Sequence, residues 1–312
     1  MTAGSRRRLF LIGQLVVGAV VGYYIVRTVL DLVRNDAFSS LHFDPWLIIA
    51  SLVLLALYNL MFVHTSQLVL RGSGEPVGFA DAFALNYVSA LGKYVPGGVW
   101  HVVGRFALAE SIGVRRRSVV VMTVFENALG VVSGILVAVL GLGLAVSDAL
   151  GLPVWLAPTV AAASLAALHP AIFGRLMRYG LKLAGAEGQM PQLSFWRTLA
   201  FVAYRSVGWL VAGWAFMLYT RAVSVDPAGS IGLYAGAFAA ASVFGLLVLF
   251  VPGGIGVREA ALIALLTPAL GAGVAGTVGL TSRVWATAVE LALSAIAIAL
   301  SARMARQRRT DA

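Results

Sequence analysis

Apolar residues fill most of this chain, in long blocks separated by short polar connectors. A hydrocarbon core of roughly 30 Å needs about 20 apolar residues in helical form. Blocks at about 9–31, 46–70, 118–146, 153–172, 198–220 and 274–302 meet that need and predict six spanning helices. Two further apolar stretches, 79–110 and 231–270, are interrupted near their middles by the same string, Val-Pro-Gly-Gly. The copies stand at Val95–Gly98 and Val251–Gly254, half of the 312-residue chain apart. Proline removes a backbone donor and paired glycines relax a helix, so Pro96, Gly97, Gly98 and Pro252, Gly253, Gly254 are predicted helix breaks. Each broken stretch is too short to cross twice at full length and long enough for two half-helices, which predicts re-entrant hairpins. Backbone freed within a bilayer must be repaired by protein or by water in a cavity.

Charge placement adds orientation. With a cytoplasmic N-terminus, the inside segments collect Arg6–Arg8, Arg71, Arg105, Arg115–Arg117, Arg175, Arg178, Lys182, Arg197 and the basic residues from Arg303 to Arg309. The outside loops keep only Arg34 and Arg221, with Arg27 at a helix end. Short loops rich in Lys and Arg stay cytoplasmic, so both termini are expected there. A hairpin at the first break preserves this pattern; two full crossings would preserve it equally, and only segment length argues against them. Each half then reads span, span, broken hairpin, span. Three crossings per half set the halves in opposite directions, the inverted-repeat plan of secondary transporters. The expected fold is an all-α polytopic membrane helix bundle. It forms a single domain over 1–312, with half-repeats of about 1–150 and 151–312.

Composition agrees: 60% of residues are hydrophobic and 12% charged, with a mean hydropathy of +0.90. The net charge of +10 is mostly arginine in short loops, which fits membrane orientation better than nucleic acid. Cysteine is absent, which excludes disulfides and thiolate metal sites. Arg6–Arg8 ahead of Leu9–Leu30 mimics a secretory signal, but the run is long and lacks an Ala-x-Ala site, so an uncleaved first helix is expected.

Ionisable residues within spans are costly and usually face a cavity or a partner. The candidates are Lys93, Glu126, Arg205, Arg258, Glu259, Arg283 and Glu290, with Asn86 as a weaker polar addition. Glu126 follows the first break and Glu290 the second, which suggests equivalent places in two halves. Arg258 and Glu259 are adjacent, so on a helix they point about 100° apart and cannot share a face. Arg283 and Glu290 sit two turns apart on one face. Arginine's planar fork suits phosphate, and a half-helix N-terminus adds backbone donors. Arg258, Arg283 and the amides after Gly254 would make a phosphate seat. The bland alternative is that these charges pair together and hold the bundle. Gly130, Gly134 and Gly141 read as helix-packing glycines. No nucleophile elbow, Walker loop, HExxH or Asp-x-Asp motif is present, so no enzyme activity, metal or cofactor is expected.

Asn86 through Arg105 with Lys93-Tyr-Val-Pro-Gly-Gly, Phe125-Glu-Asn, and above all Val-Pro-Gly-Gly-Ile-Gly-Val-Arg-Glu at 251–259, resemble the transmembrane region of the lysylphosphatidylglycerol synthases. That flippase-like family belongs to bacterial and archaeal membranes. The resemblance implies a polytopic domain of the inner membrane that moves an anionic phospholipid or a polyprenyl-phosphate-linked sugar between leaflets. A stand-alone member ending near Ala312 would lack the aminoacyl-transferase domain of the full synthases. The head group is expected in a cavity between the two hairpins, its phosphate on Arg258 and Arg283. Glu126, Glu259 and Glu290 are candidates to hold the arginines, bind a cationic head or carry coupling protons. Partners would be the lipid and a separate lipid- or glycan-modifying enzyme. The rival readings are a non-catalytic scaffold for envelope synthesis and a membrane enzyme acting on a lipid carrier.

Overall fold

The computed structural model describes residues 43–94, 100–145, 153, 155–166, 168–183, 195–224, 227–248 and 256–310. The predicted first helix at 9–31 and all six break residues, Pro96–Gly98 and Pro252–Gly254, lie outside the described residues. What is described is helical: α1 Pro45–Gly72, α2 Phe79–Ala90, a 3₁₀ turn Leu91–Tyr94, α3 Trp100–Ser111, α4 Arg116–Ala145, α5 Leu156–Ala166, α6 Pro170–Leu183, α7 Phe195–Val223, α8 Ile231–Leu247 and α9 Val257–Thr310.

Four of these, α1, α4, α7 and α9, are long and apolar enough to cross a membrane. They fall on the predicted spans 46–70, 118–146, 198–220 and 274–302. At 1.5 Å per residue the first three run to about 42–45 Å, beyond the roughly 30 Å of hydrocarbon. The start of α1 is fixed locally. Asp44 Oδ1 accepts the amides of Trp46 at 2.9 Å and Leu47 at 3.1 Å, with Pro45 at the first helical position. That arrangement uses an acidic cap and a residue with no amide to satisfy.

α9 is not straight. Gly271 has φ +77°, three residues after Pro268, and the chain reverses there. A Cβ added at Gly279 would lie 3.4 Å from the carbonyl oxygen of Glu259, whereas 20 residues of straight helix would separate them by about 30 Å. A left-handed turn of this kind suits glycine, which has no Cβ to clash. The arms 257–270 and 272–310 therefore form a helical hairpin, as the separate stretches ending at 270 and starting at 274 predict.

The predicted span at 153–172 is not one continuous helix. α5 and α6 meet at a 69° bend, and together they are apolar enough for a broken span or a re-entrant loop. Pro170 opens α6; it supplies no amide to α5 and disfavours helical backbone at His169. Beyond the bend α6 carries Arg175, Arg178 and Lys182, past the end of the predicted apolar run.

The chain forms two compact units whose boundaries fall inside helices. The first comprises Met1–Val53, Val137–Pro158 and Ala212–Trp285. Here α8 packs against α4 and α7 at backbone distance. A Cβ at Gly141 would lie 2.2 Å from the Gly232 oxygen, and one at Gly213 would lie 2.3 Å from Ala235. Small residues permit that approach, as anticipated for Gly141. Phe216, Tyr219, Phe238 and Trp285 interlock beside it. Trp285 Nε1 donates to Ser51 Oγ at 3.0 Å, and Tyr219 Oη to Thr281 Oγ1 at 2.6 Å.

The second unit comprises Leu54–Leu136, Thr159–Val211 and Ala286–Ala312. It contains the helical pair α2 and α3, 12 residues each and so about 18 Å long. The arms lie against each other: a Cβ at Gly104 of α3 would lie 3.8 Å from Ser89 Cα of α2. These are the two half-helices predicted for 79–110.

Candidate functional site

In the first unit, three charged residues lie in or against the start of α9. Gly256 precedes the helix with φ +83°, and Glu259, three residues on, turns back on it. Glu259 Oε2 accepts the Gly256 amide at 2.5 Å, the carboxylate half of a capping box. The Gly256 amide, one of those predicted to await a phosphate after Gly254, is thus already engaged. The same carboxylate, 4% exposed, has Oε1 3.8 Å from Arg283 Nη1 on the returning arm. Arg258 points elsewhere, as adjacency on a helix requires. Its guanidinium lies over the Phe238 ring of α8, 4.5 Å from the centroid, where the ring's negative face stabilises the cation. Glu259 and Arg283 are therefore brought together, and Arg258 is held by α8.

The second unit brings polar and charged residues together from five helices. Asn86 of α2 donates from Nδ2 to Ser66 Oγ of α1 at 3.0 Å and to the Ala82 carbonyl at 2.9 Å. Its Oδ1 accepts from Arg105 Nη2 of α3. Arg105 Nη1 donates to Thr123 Oγ1 of α4 at 2.9 Å, and Nη2 lies 3.7 Å from Glu126 Oε2. Glu126 is 2% exposed. Arg205 of α7 stacks over Phe62 at 4.8 Å and reaches toward Trp209 at 6.0 Å. Trp209 Nε1 donates to Ser133 Oγ at 3.1 Å.

A Cβ at Gly130 would lie 3.4 Å from Arg205 Nη2, so this glycine makes room for a guanidinium instead of for another helix. Glu290 is also in this unit, close enough to Tyr87 to interact electrostatically. Lys93 lies in the 3₁₀ turn at the end of the first arm.

Arg105 is the residue that the list of site candidates lacked. Counted only among the inside cations, it lies within α3 and joins Asn86, Thr123 and Glu126. Charge counting sees no tertiary partner, though its place in the Asn86–Arg105 string was a signal. A second unnoticed group ties the ends of the pair together. Glu75 Oε1 accepts Arg115 Nε and Ser118 Oγ, both at 2.6 Å. Burial alone would raise the Glu75 pKa, but the bonds from Ser118 and Arg115 together outweigh it and hold the carboxyl below its usual 4.5.

A depressed folded-state pKa adds stability that is present above the ordinary value and lost as pH falls through the folded one. Thermal stability in detergent is therefore expected to decline on acidification below about pH 4.5. Glu75→Gln should flatten part of that decline in a pH series of melting curves.

Among the described residues no cluster has the composition of a metal site. Long apolar helices with arginines and carboxylates drawn inward mark a multi-pass membrane protein. The family model for the lysylphosphatidylglycerol synthase TM region matches residues 11–294, and the chain belongs to that family. No curated protein matches it.

Proposed function

We propose that this protein translocates an anionic phospholipid or lipid-linked sugar between leaflets, without enzymatic chemistry of its own. The observation that carries the reading is the loose pairing of Arg283 with Glu259, beside Arg258 and at the head of a helix. At 3.8 Å the pair is longer than a charge-assisted hydrogen bond of about 2.7–2.9 Å. An arriving phosphate can make the shorter bonds and displace that contact. Arg283, 28% exposed, is the accessible member of the group; Glu259 keeps its cap on Gly256 throughout.

The reading also takes α2 and α3 as a re-entrant pair, since helices of about 18 Å fall well short of the bilayer core. By the same logic α8 and the arm 257–270 form the second dipping element. The basic residues of the short connectors favour cytoplasmic termini, and the inner membrane is the membrane proposed. A separate lipid- or glycan-modifying enzyme is the expected partner. No nucleotide motif is present, so the lipid gradient or an ion gradient would drive movement.

Reconstituted vesicles test this directly. Arg258→Gln and Arg283→Gln are each expected to slow flipping of fluorescent phosphatidylglycerol about tenfold, while elution and melting stay normal. Wild-type rates in both folded variants would take the two arginines out of the lipid path, and wild type no faster than protein-free vesicles would favour a scaffold that moves nothing.

A further inference from the structure

The bent helix α6 has two unlike sides. Phe173, Met177 and Leu181 recur every fourth residue and are buried. Phe173 meets Phe125 of α4 edge to face at 5.6 Å. Gly180 lets α6 close on α4, since a Cβ there would lie 2.8 Å from Val124 Cγ1. The opposite side presents Arg175, Arg178 and Lys182, all exposed, flanked by Tyr179 at 63% and Ile172 at 46% exposure. Positions three and four apart line one helix face, so the three cations form a single stripe. α6 contains no acidic residue. Among the described residues none of the three cations forms an ion pair.

Such a helix cannot sit in hydrocarbon, where exposed guanidiniums are costly, and its buried side ties it to the bundle rather than to water. An amphipathic helix with a basic face and an exposed aromatic fits the plane of the head groups. The next helix begins with exposed Trp196 beside Arg197, the aromatic-and-arginine signature of the membrane–water boundary. We propose that α6 lies in that boundary and that Arg175, Arg178 and Lys182 bind the phosphates of anionic lipids in the protein's own bilayer. This surface is independent of the Arg258 and Arg283 group, and it stands whether or not the protein flips lipid.

The test uses the full chain in phosphatidylcholine vesicles containing phosphatidylglycerol. Spin-labelled phosphatidylglycerol and phosphatidylcholine are compared for the fraction immobilised by the protein. Wild type should select the anionic lipid, and high salt should erase the preference. Removing charge by Arg175→Gln, Arg178→Gln and Lys182→Gln should weaken selection by about fivefold per residue at most. These residues are exposed, so folding should be unaffected, with elution as the control. A nitroxide at Tyr179→Cys should report head-group depth. The proposal is overturned by unchanged selectivity in the triple variant, or by a label in bulk water, which would assign the stripe to a soluble acidic partner. Arg283→Gln should keep the preference; its loss there would place the lipid site elsewhere.

Discussion

Replacing Arg105 by methionine is expected to destabilise this protein more than any exposed substitution, by about 3–5 kcal/mol. The change strips Asn86 Oδ1 and Thr123 Oγ1 of a donor and leaves the Glu126 carboxylate, 2% exposed, beside no guanidinium from α3. Removing one member of a buried pair costs far more than removing both, because a charge is left without its counterpart. Arg105→Met with Glu126→Gln should therefore melt at a higher temperature than Arg105→Met alone. A double-mutant cycle on detergent-solubilised protein measures the coupling. Additive single effects would mean that the 3.7 Å contact carries no interaction energy.

That network also shows where sequence reasoning ran out. The spans at α1, α4 and α7 were legible because a bilayer imposes one coarse rule, length at high hydropathy, that a chain cannot evade. The turn at Gly271 was legible for the same reason, as a gap between apolar stretches. The rule fails when an apolar segment is interrupted by local chemistry. At 153–172 hydropathy alone ran through Pro170, although its missing amide ends α5 there.

Side-chain partners are harder still. Asn86 and Arg105 meet because α2 and α3 fold back, and no local pattern around either residue encodes that contact. Glu75 went unnoticed because a carboxylate in a connector looks solvated until Arg115 and Ser118 arrive from 40 or more residues away. The Glu259 cap stood closer to legibility. Its spacing from Gly256 is that of a capping box, but a glycine in place of serine or threonine hides the motif.

The sharpest separation of structure from transport falls on Glu259 itself. Glu259→Gln retains an acceptor for the Gly256 amide, because glutamine serves the same capping position, and it removes only the charge facing Arg283. Glu259→Ala removes both and leaves the buried amide unmet, a cost of about 1–3 kcal/mol. Melting temperature is therefore expected to fall for alanine and hold for glutamine. Lipid movement should divide them differently. With the Glu259 charge removed, Arg283 in the glutamine variant should hold an anionic head more tightly, so half-maximal flipping shifts to lower lipid fraction and the maximal rate falls. Arg283→Gln should shift half-maximal flipping the other way, about tenfold for each 1.4 kcal/mol of lost phosphate binding. A purely structural Glu259 predicts that flipping follows the melting temperatures, with glutamine silent. Opposite shifts in Glu259→Gln and Arg283→Gln, both at normal stability, require a negatively charged ligand that competes with this carboxylate for the arginine.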